Sequence, residues 1–300
     1  MHFRLLSFVV FVALGGLLFS LSEPVRAQIR DDGAPAAALG VGDAVTGVAV
    51  GSTALYFNPA GMSRVQQYAV ETGYNFSSDL EGHVFTATAV DSKTNRSLGM
   101  GLSYAFVSSL RDGRDRDGSV IRGGLSTGHR TTDFSISAGV GGRYSTLAWG
   151  DEDTVENGEN DDINYFTLDA GLMAEFSGVF NIGLVGRNLI DTKHVAEAPR
   201  SIGVGIGGKF KTFSISADFN ADLQSEDEPV FSYGVGAQLL MESMIVLRAG
   251  YTGGGLRNTN HISAGISYVS QMVGVDVAFR QGIEESSDTT FSLAMKVFMP

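Results

Sequence analysis

From about residue 67 to the end of the chain, apolar and polar or small residues alternate with a period of two, the signature of strands with one greasy face. In Thr212–Asp222, Phe213, Ile215, Ala217, Phe219 and Ala221 share one face, and Ser214, Ser216, Asp218, Asn220 and Asp222 share the other. The same holds for Val273, Val275, Val277 and Phe279 against Gly274, Asp276, Ala278 and Arg280. Leu98, Met100, Leu102, Tyr104 and Phe106 likewise alternate with Gly99, Gly101, Ser103 and Ala105. Successive strand side chains point to opposite faces, so each segment must bury its greasy face against something apolar.

A soluble β-sandwich also alternates, but three features favour a transmembrane barrel. The segments run about ten residues, the length of a tilted bilayer-crossing strand, whereas ordinary strands average about five or six. Their other faces are crowded with Gly, Ser and Asp, which suits a lumen. Links alternate between short and long, as periplasmic turns and extracellular loops do. In hydrocarbon only a closed sheet satisfies every backbone group.

The pattern predicts strands near 67–76, 82–91, 97–107, 131–145, 164–176, 179–189, 201–210, 212–222, 230–240, 244–252, 260–269, 272–281 and 289–298. Short links at Ser177-Gly178, Lys211, Glu242-Ser243 and Ser270-Gln271 belong to the periplasmic side. Parity then requires a weakly patterned strand near 119–128, makes Ser108–Gly118 an extracellular loop, and gives about fourteen strands in an all-β antiparallel barrel. The expected lumen carries Asp218, Asn220, Asp222, Arg248, Asp276, Arg280 and Lys296. Ser108–Gly118 and Asp191–Arg200 offer little apolar surface for an external capture site.

The first 27 residues read as a cleaved secretory signal: Arg4, an apolar run from Leu5 to Leu21, and Val25-Arg26-Ala27 before the cut. The mature chain would begin at Gln28, with the cell outer membrane as its expected destination. Without cysteine it has neither disulfides nor a lipidated start. Losing Arg4, Arg26 and Glu23 leaves 19 basic against 32 acidic residues, which argues against nucleic acid as a partner. Glycine is abundant, 39 of 300 residues against an ordinary share of about 7%.

Residues 28–66 do not alternate. They are rich in Ala and Gly, end in an Asn-Pro turn, and are apolar enough to need burial; folding into the lumen as a hatch provides it. The run Gly42-Asp43-Ala44, followed by Gly51-Ser52-Thr53-Ala54-Leu55-Tyr56-Phe57-Asn58-Pro59-Ala60-Gly61-Met62, resembles the hatch of the outer-membrane long-chain fatty-acid transporter (FadL-like) superfamily. Asp169-Ala170-Gly171-Leu172 and Gly186-Arg187-Asn188-Leu189 are similar to its PorV/PorQ branch, associated with secretion and surface attachment. The resemblance implies a fourteen-stranded barrel with an inward hatch. It places Asn58, Pro59, Ala60 and Gly61 in the hatch turn and makes Leu55, Tyr56 and Phe57 candidates for ligand contact. It further implies passive uptake of small hydrophobic compounds such as fatty acids, or alternatively a non-transporting role beside a secretion-system protein partner. Outer-membrane lipid would surround either.

Enzymatic motifs are weak. Gly124-Leu125-Ser126-Thr127-Gly128 lacks the strand–turn–helix that a nucleophile elbow needs. Gly203–Gly208 is not followed by a helix, so it is no dinucleotide loop. His83, His129, His194 and His261 have no metal spacing, and neither the acidic stretch Asp151–Asp162 nor Asp112–Gly118 has calcium-loop spacing. The expectation is no enzyme, no metal and no cofactor.

Overall fold

The computed structural model describes residues 33–78, 81–95, 97–111, 114–149, 162–195, 197–241, 244–255, 259–283 and 288–299. The predicted leader and nearly all of Asp151–Asp162 lie outside them. The strands are β1 (Tyr68–Ser77), β2 (Gly82–Asp91), β3 (Leu98–Arg111), β4 (Arg114–Arg130), β5 (Phe134–Trp149), β6 (Ile163–Phe176) and β7 (Phe180–Arg187). There follow β8 (Ser201–Phe210), β9 (Phe213–Asp222), β10 (Val230–Leu240), β11 (Ile245–Gly254), β12 (His261–Val269), β13 (Val273–Gly282) and β14 (Thr289–Met299). Each pairs antiparallel with its neighbours in sequence, and β1 closes on β14 with Tyr68 opposite Met299. The fold is a closed fourteen-stranded barrel.

Alternation decides which side chain faces which way. Leu102, Leu125, Val140, Leu172, Ile206, Phe219 and Ile266 are exposed on the outside, while their strand neighbours Ser103, Ser126, Gly139 and Asp218 are buried within. Outward aromatics gather towards the two rims, Tyr74, His83 and Phe85 at one and Phe134 against Phe176 at 5.3 Å at the other. We call lower the rim that carries Tyr68 and Met299.

The strand inferred from parity exists, and it is longer than expected. Ser108–Gly118 is not a loop: β3 continues to Arg111 and β4 starts at Arg114, paired in register. Hydropathy hid it because its inward positions include Arg116, Gly118, Arg122 and Gly124, and its outward ones include Asp117 and Gly123. With β5 and β6, these strands make one side of the wall taller, 14 to 17 residues per strand against 8 to 11 elsewhere. β7 pairs β6 only over Ala170–Phe176. Above that, residues 188–195 and 197–200 form a strap beside β6, Leu189 N–H donating to Leu168 O at 2.8 Å and Thr167 Oγ1 to Ile190 O at 3.3 Å.

The N-terminal segment lies inside the barrel. It comprises α1 (Ala36–Leu39), α2 (Gly51–Phe57) and a 3-10 turn (Pro59–Ser63), and nearly all of it is buried. Its interior cluster includes Val41, Val45, Leu55, Tyr56, Phe57 and Met62. No helix among the described residues is long and apolar enough to cross a membrane.

Candidate functional site

The hatch occupies the lower storey of the lumen, and glycine makes the room. A Cβ at inward Gly99, Gly124, Gly139, Gly171, Gly183, Gly205, Gly234 or Gly250 would run into hatch atoms, most of them backbone. These glycines stand on eight different strands, so the hatch backbone touches most of the circumference. Gly42 bends the hatch at φ +62°, and Thr252 Oγ1 donates to its carbonyl at 3.0 Å.

Polar clamps fix what the glycines admit. The Asn58 side chain caps the 3-10 turn, accepting from Ala60 N–H at 3.2 Å. Its amide donates to Thr46 O at 3.0 Å and lies 3.3 and 3.4 Å from Leu172 O and Leu184 O on β6 and β7. Asn58 therefore ties hatch to hatch and hatch to wall, in a fully buried position where each lost partner is costly. Asp218 accepts from Val45 N–H and Thr46 N–H at 3.0 and 2.7 Å. Arg280 pairs with Asp43 at 2.5 Å. Arg187 donates to Phe57 O at 3.0 Å and Thr46 Oγ1 at 3.1 Å. Near the lower rim, Arg64 pairs with Glu175 at 2.5 Å; burial lowers its pKa, Glu175 opposes that, and it stays a cation.

Of the expected luminal residues, Asp218, Asn220, Asp222, Arg248, Asp276, Arg280 and Lys296 all face inward. Beside the hatch, Arg248 meets Asp276 at 2.9 Å and Lys296 meets Glu71 at 3.0 Å. Charges buried in this way persist only when paired, and these are.

Above the hatch is a cavity of about 310 Å³. Its floor includes Gly42, Asp43 and Phe57. Its two sides differ. The β9–β14 side presents Asp218, Asn220, Asp222, Ser232, His261, Arg280 and Asp288. The tall side presents Val107, Val120, Leu147 and Tyr165, part of a buried cluster that also holds Val84, Ala105, Ile163 and the strap residue Ala198. Beneath this apolar storey sit Arg122 and Arg143, directly opposite each other across β4 and β5. Arg122 lies 5.0 Å over the Tyr56 ring and Arg143 5.2 Å over the Tyr165 ring. The strap roofs this side, Arg116 of β4 holding Glu197 at 3.1 Å.

The apolar lining residues Val107, Val120, Leu147 and Tyr165 lie outside Ser108–Gly118 and Asp191–Arg200, the two stretches expected to offer little apolar surface for an external capture site. That surface is formed by the inner faces of strands and not by loops. The signal was readable: bulky apolar residues at inward positions of β3 to β6. Of the three hatch candidates for ligand contact, Phe57 lines the cavity. Tyr56 lies under Arg122, its hydroxyl 2.6 Å from Ser103 Oγ, and Leu55 faces Gly101 and Gly124 on the wall. Asn58, Pro59, Ala60 and Gly61 form the buried turn. The two short motifs after residue 168 meet in space, Asn188 N–H donating to Asp169 Oδ1 at 2.8 Å. No group of acidic or histidine side chains suited to a metal occurs among the described residues.

No known family of sequences matches the chain, and no curated protein does. Solved structures do. The toluene transporter TbuX of Ralstonia pickettii superposes with a TM-score of 0.64 at 15% identity, covering 90% of this chain and 99% of that one. The toluene transporter TodX of P. putida gives 0.59 at 11% identity, covering 89% and 96%. At such identities the likeness is one of fold: the chain shares the barrel architecture of these two proteins.

Proposed function

We propose that the chain is exported on its first 27 residues, spans the outer membrane as a barrel, and mediates passive uptake of small hydrophobic compounds. The observation that carries this reading is the apolar storey inside the lumen, above the N-terminal segment that packs against the lower wall. A water-filled pore has no use for Val107, Val120, Leu147 and Tyr165 facing inward, whereas an apolar ligand leaving water gains about 25 cal/mol per Å² of surface it buries there. The outward Leu, Ile and Phe residues need hydrocarbon around them, and their alternation suits a lipid-facing wall. The lower rim is then periplasmic and the taller rim extracellular. The architecture shared with two toluene transporters supports the same reading.

The test is uptake of labelled toluene by Gram-negative cells that express the chain and have an intact outer leaflet of lipopolysaccharide. Uptake should exceed that of cells lacking the chain, and Val120→Asn should lower it about tenfold, because an amide without a partner in an apolar site costs about 1–3 kcal/mol. Uptake no faster than in control cells would overturn the proposal, and copurification of a secretion component with no uptake would favour an attachment role. Equal passage of sucrose through reconstituted protein would make the chain a polar-solute porin.

A further inference from the structure

Within that reading, which this inference rests on, the cavity specifies more than apolarity. We infer that its ligand is a neutral one-ring compound bearing a hydroxyl, a phenol. Its hydroxyl would bond Ser145 and Tyr165, and its ring would lie against Val107, Val120 and Leu147.

An orphaned hydroxyl is the first argument. Ser145 faces inward on β5 between Arg143 and Leu147, lines the cavity and is only 1% exposed. Its register neighbours are Val120 on β4 and Tyr165 on β6, whose Cβ atoms stand about 4.5–5.5 Å away in such pairs. Among the described residues no group hydrogen-bonds to the Ser145 hydroxyl or to that of Tyr165, which lines the same cavity. Other interior hydroxyls show the contrast. Ser103 Oγ lies 2.6 Å from the Tyr56 hydroxyl and 2.7 Å from that of Thr88. Ser109, Ser137 and Ser263 also lack a partner, but they do not line the cavity. On the polar side Ser201, Ser232 and Thr290 are half-buried, so water can reach them.

A buried hydroxyl without a partner is costly, and a hydrocarbon in the cavity would leave that cost in place. A ligand hydroxyl removes it, because it can donate one bond and accept another, as Ser and Tyr hydroxyls can. The ligand is neutral because the space is bordered by both signs, Arg122 and Arg143 on the tall side and Asp218 and Asp222 on the other. An ion of either charge would face its like. A phenol keeps its proton at neutral pH, since it is the group that tyrosine carries with a pKa of about 10.

Size is the second argument. An apolar cavity of about 150 Å³ accommodates benzene. The space here, about 310 Å³, takes one substituted ring. Stacking order sets the pose. Inward positions on β5 run Gly141, Arg143, Ser145, Leu147 from the hatch upward, and on β6 Thr167, Tyr165, Ile163. The ligand hydroxyl sits at the row that Ser145 and Tyr165 share, with the ring against Val120 in that row and Leu147 above it.

Calorimetric titration of the purified full barrel with phenol and with toluene, which differ by a hydroxyl for a methyl, tests the assignment. Comparing variants cancels the cost of taking each probe out of water. Ser145→Ala should weaken phenol about tenfold and leave toluene unchanged or tighter, the loss expected when one buried hydrogen bond goes. Tyr165→Phe should act in the same direction, and Ser145→Thr should keep most of the phenol affinity. In the unaltered barrel phenol should displace labelled toluene, a requirement that decides even if a variant fails to fold. An unchanged phenol affinity in Ser145→Ala or Tyr165→Phe would overturn the inference, as would equal weakening of both probes or failure of phenol to displace toluene. If phenol fails in these ways but labelled toluene uptake stands, the hydrophobic-uptake reading survives. Phenol binding through Ser145 without toluene uptake would instead overturn that reading and leave the site.

Discussion

The interior of the tall wall has two storeys on the same strands, and they differ in one property, the size of the inward side chain. Low on β4, β5 and β6 the inward residues at the hatch are Gly124, Gly139, Gly141 and Gly171; higher on the same strands they are Val120, Leu147 and Tyr165. Backbone, twist and hydrogen-bond ladders are shared, so geometry alone does not make one storey a packed plug seat and the other a cavity. Deleting side chains brings the wall backbone within reach of the hatch backbone, and restoring them two or three inward positions higher lines an open space. Alternation tells which face a residue takes, and inward size along the strand tells at what depth something else fills the lumen.

The comparison breaks most decisively if a lower-storey glycine can be filled. At Gly139 a Cβ would stand 2.5 Å from the Pro59 carbonyl carbon, and neither backbone can move aside without breaking ladder or turn. Gly139→Leu should cost at least about 3 kcal/mol, the upper part of the overpacking range, or displace the hatch altogether. The midpoint of urea unfolding in micelles measures the first, and ion conductance of single reconstituted barrels the second. An unaltered midpoint together with a closed channel would show that the glycines do not seat the hatch.

A smaller loss should follow from Asn58→Ala, which leaves the wall intact and removes only the clamp. The cap on the 3-10 turn is worth about 1 kcal/mol, and the carbonyl of Thr46 left without its donor about 1–3 kcal/mol more. The same unfolding measurement should show a drop of that order, with raised leakage of small ions through a loosened hatch. A change confined to one of the two would mean that Asn58 serves stability or closure but not both.

Much of this is legible in the amino-acid sequence itself. Thirteen strand positions follow from alternation, and the fourteenth from counting sides, because a barrel returning to its starting rim needs an even number. The Ala- and Gly-rich stretch that ends at Asn58-Pro59 had to be buried and had one place to go. The top of β3 and β4 was misread because an Arg pointing inward and an Asp pointing outward look alike in hydropathy. That error hid Arg116, and with it the roof that Arg116 and Glu197 make over the cavity. The pairing of Arg122 with Arg143 was out of reach for a different reason, since register between strands depends on where each hairpin turns.

The finest edge of the comparison lies between two glycines on one strand. Gly141 is two residues from Gly139 and faces the same way, yet a Cβ there would find Gly123 O at 3.7 Å and the Pro59 ring at 3.8 and 3.9 Å, ordinary contacts. If close approach to the hatch is what demands glycine, the demand ends between these two positions. Gly141→Ala should then fall within about 0.5 kcal/mol of the unaltered protein, or gain a few tenths by restricting the unfolded chain. A loss on the scale expected for Gly139→Leu would move the boundary between the storeys upward and make Gly141 part of the hatch seat.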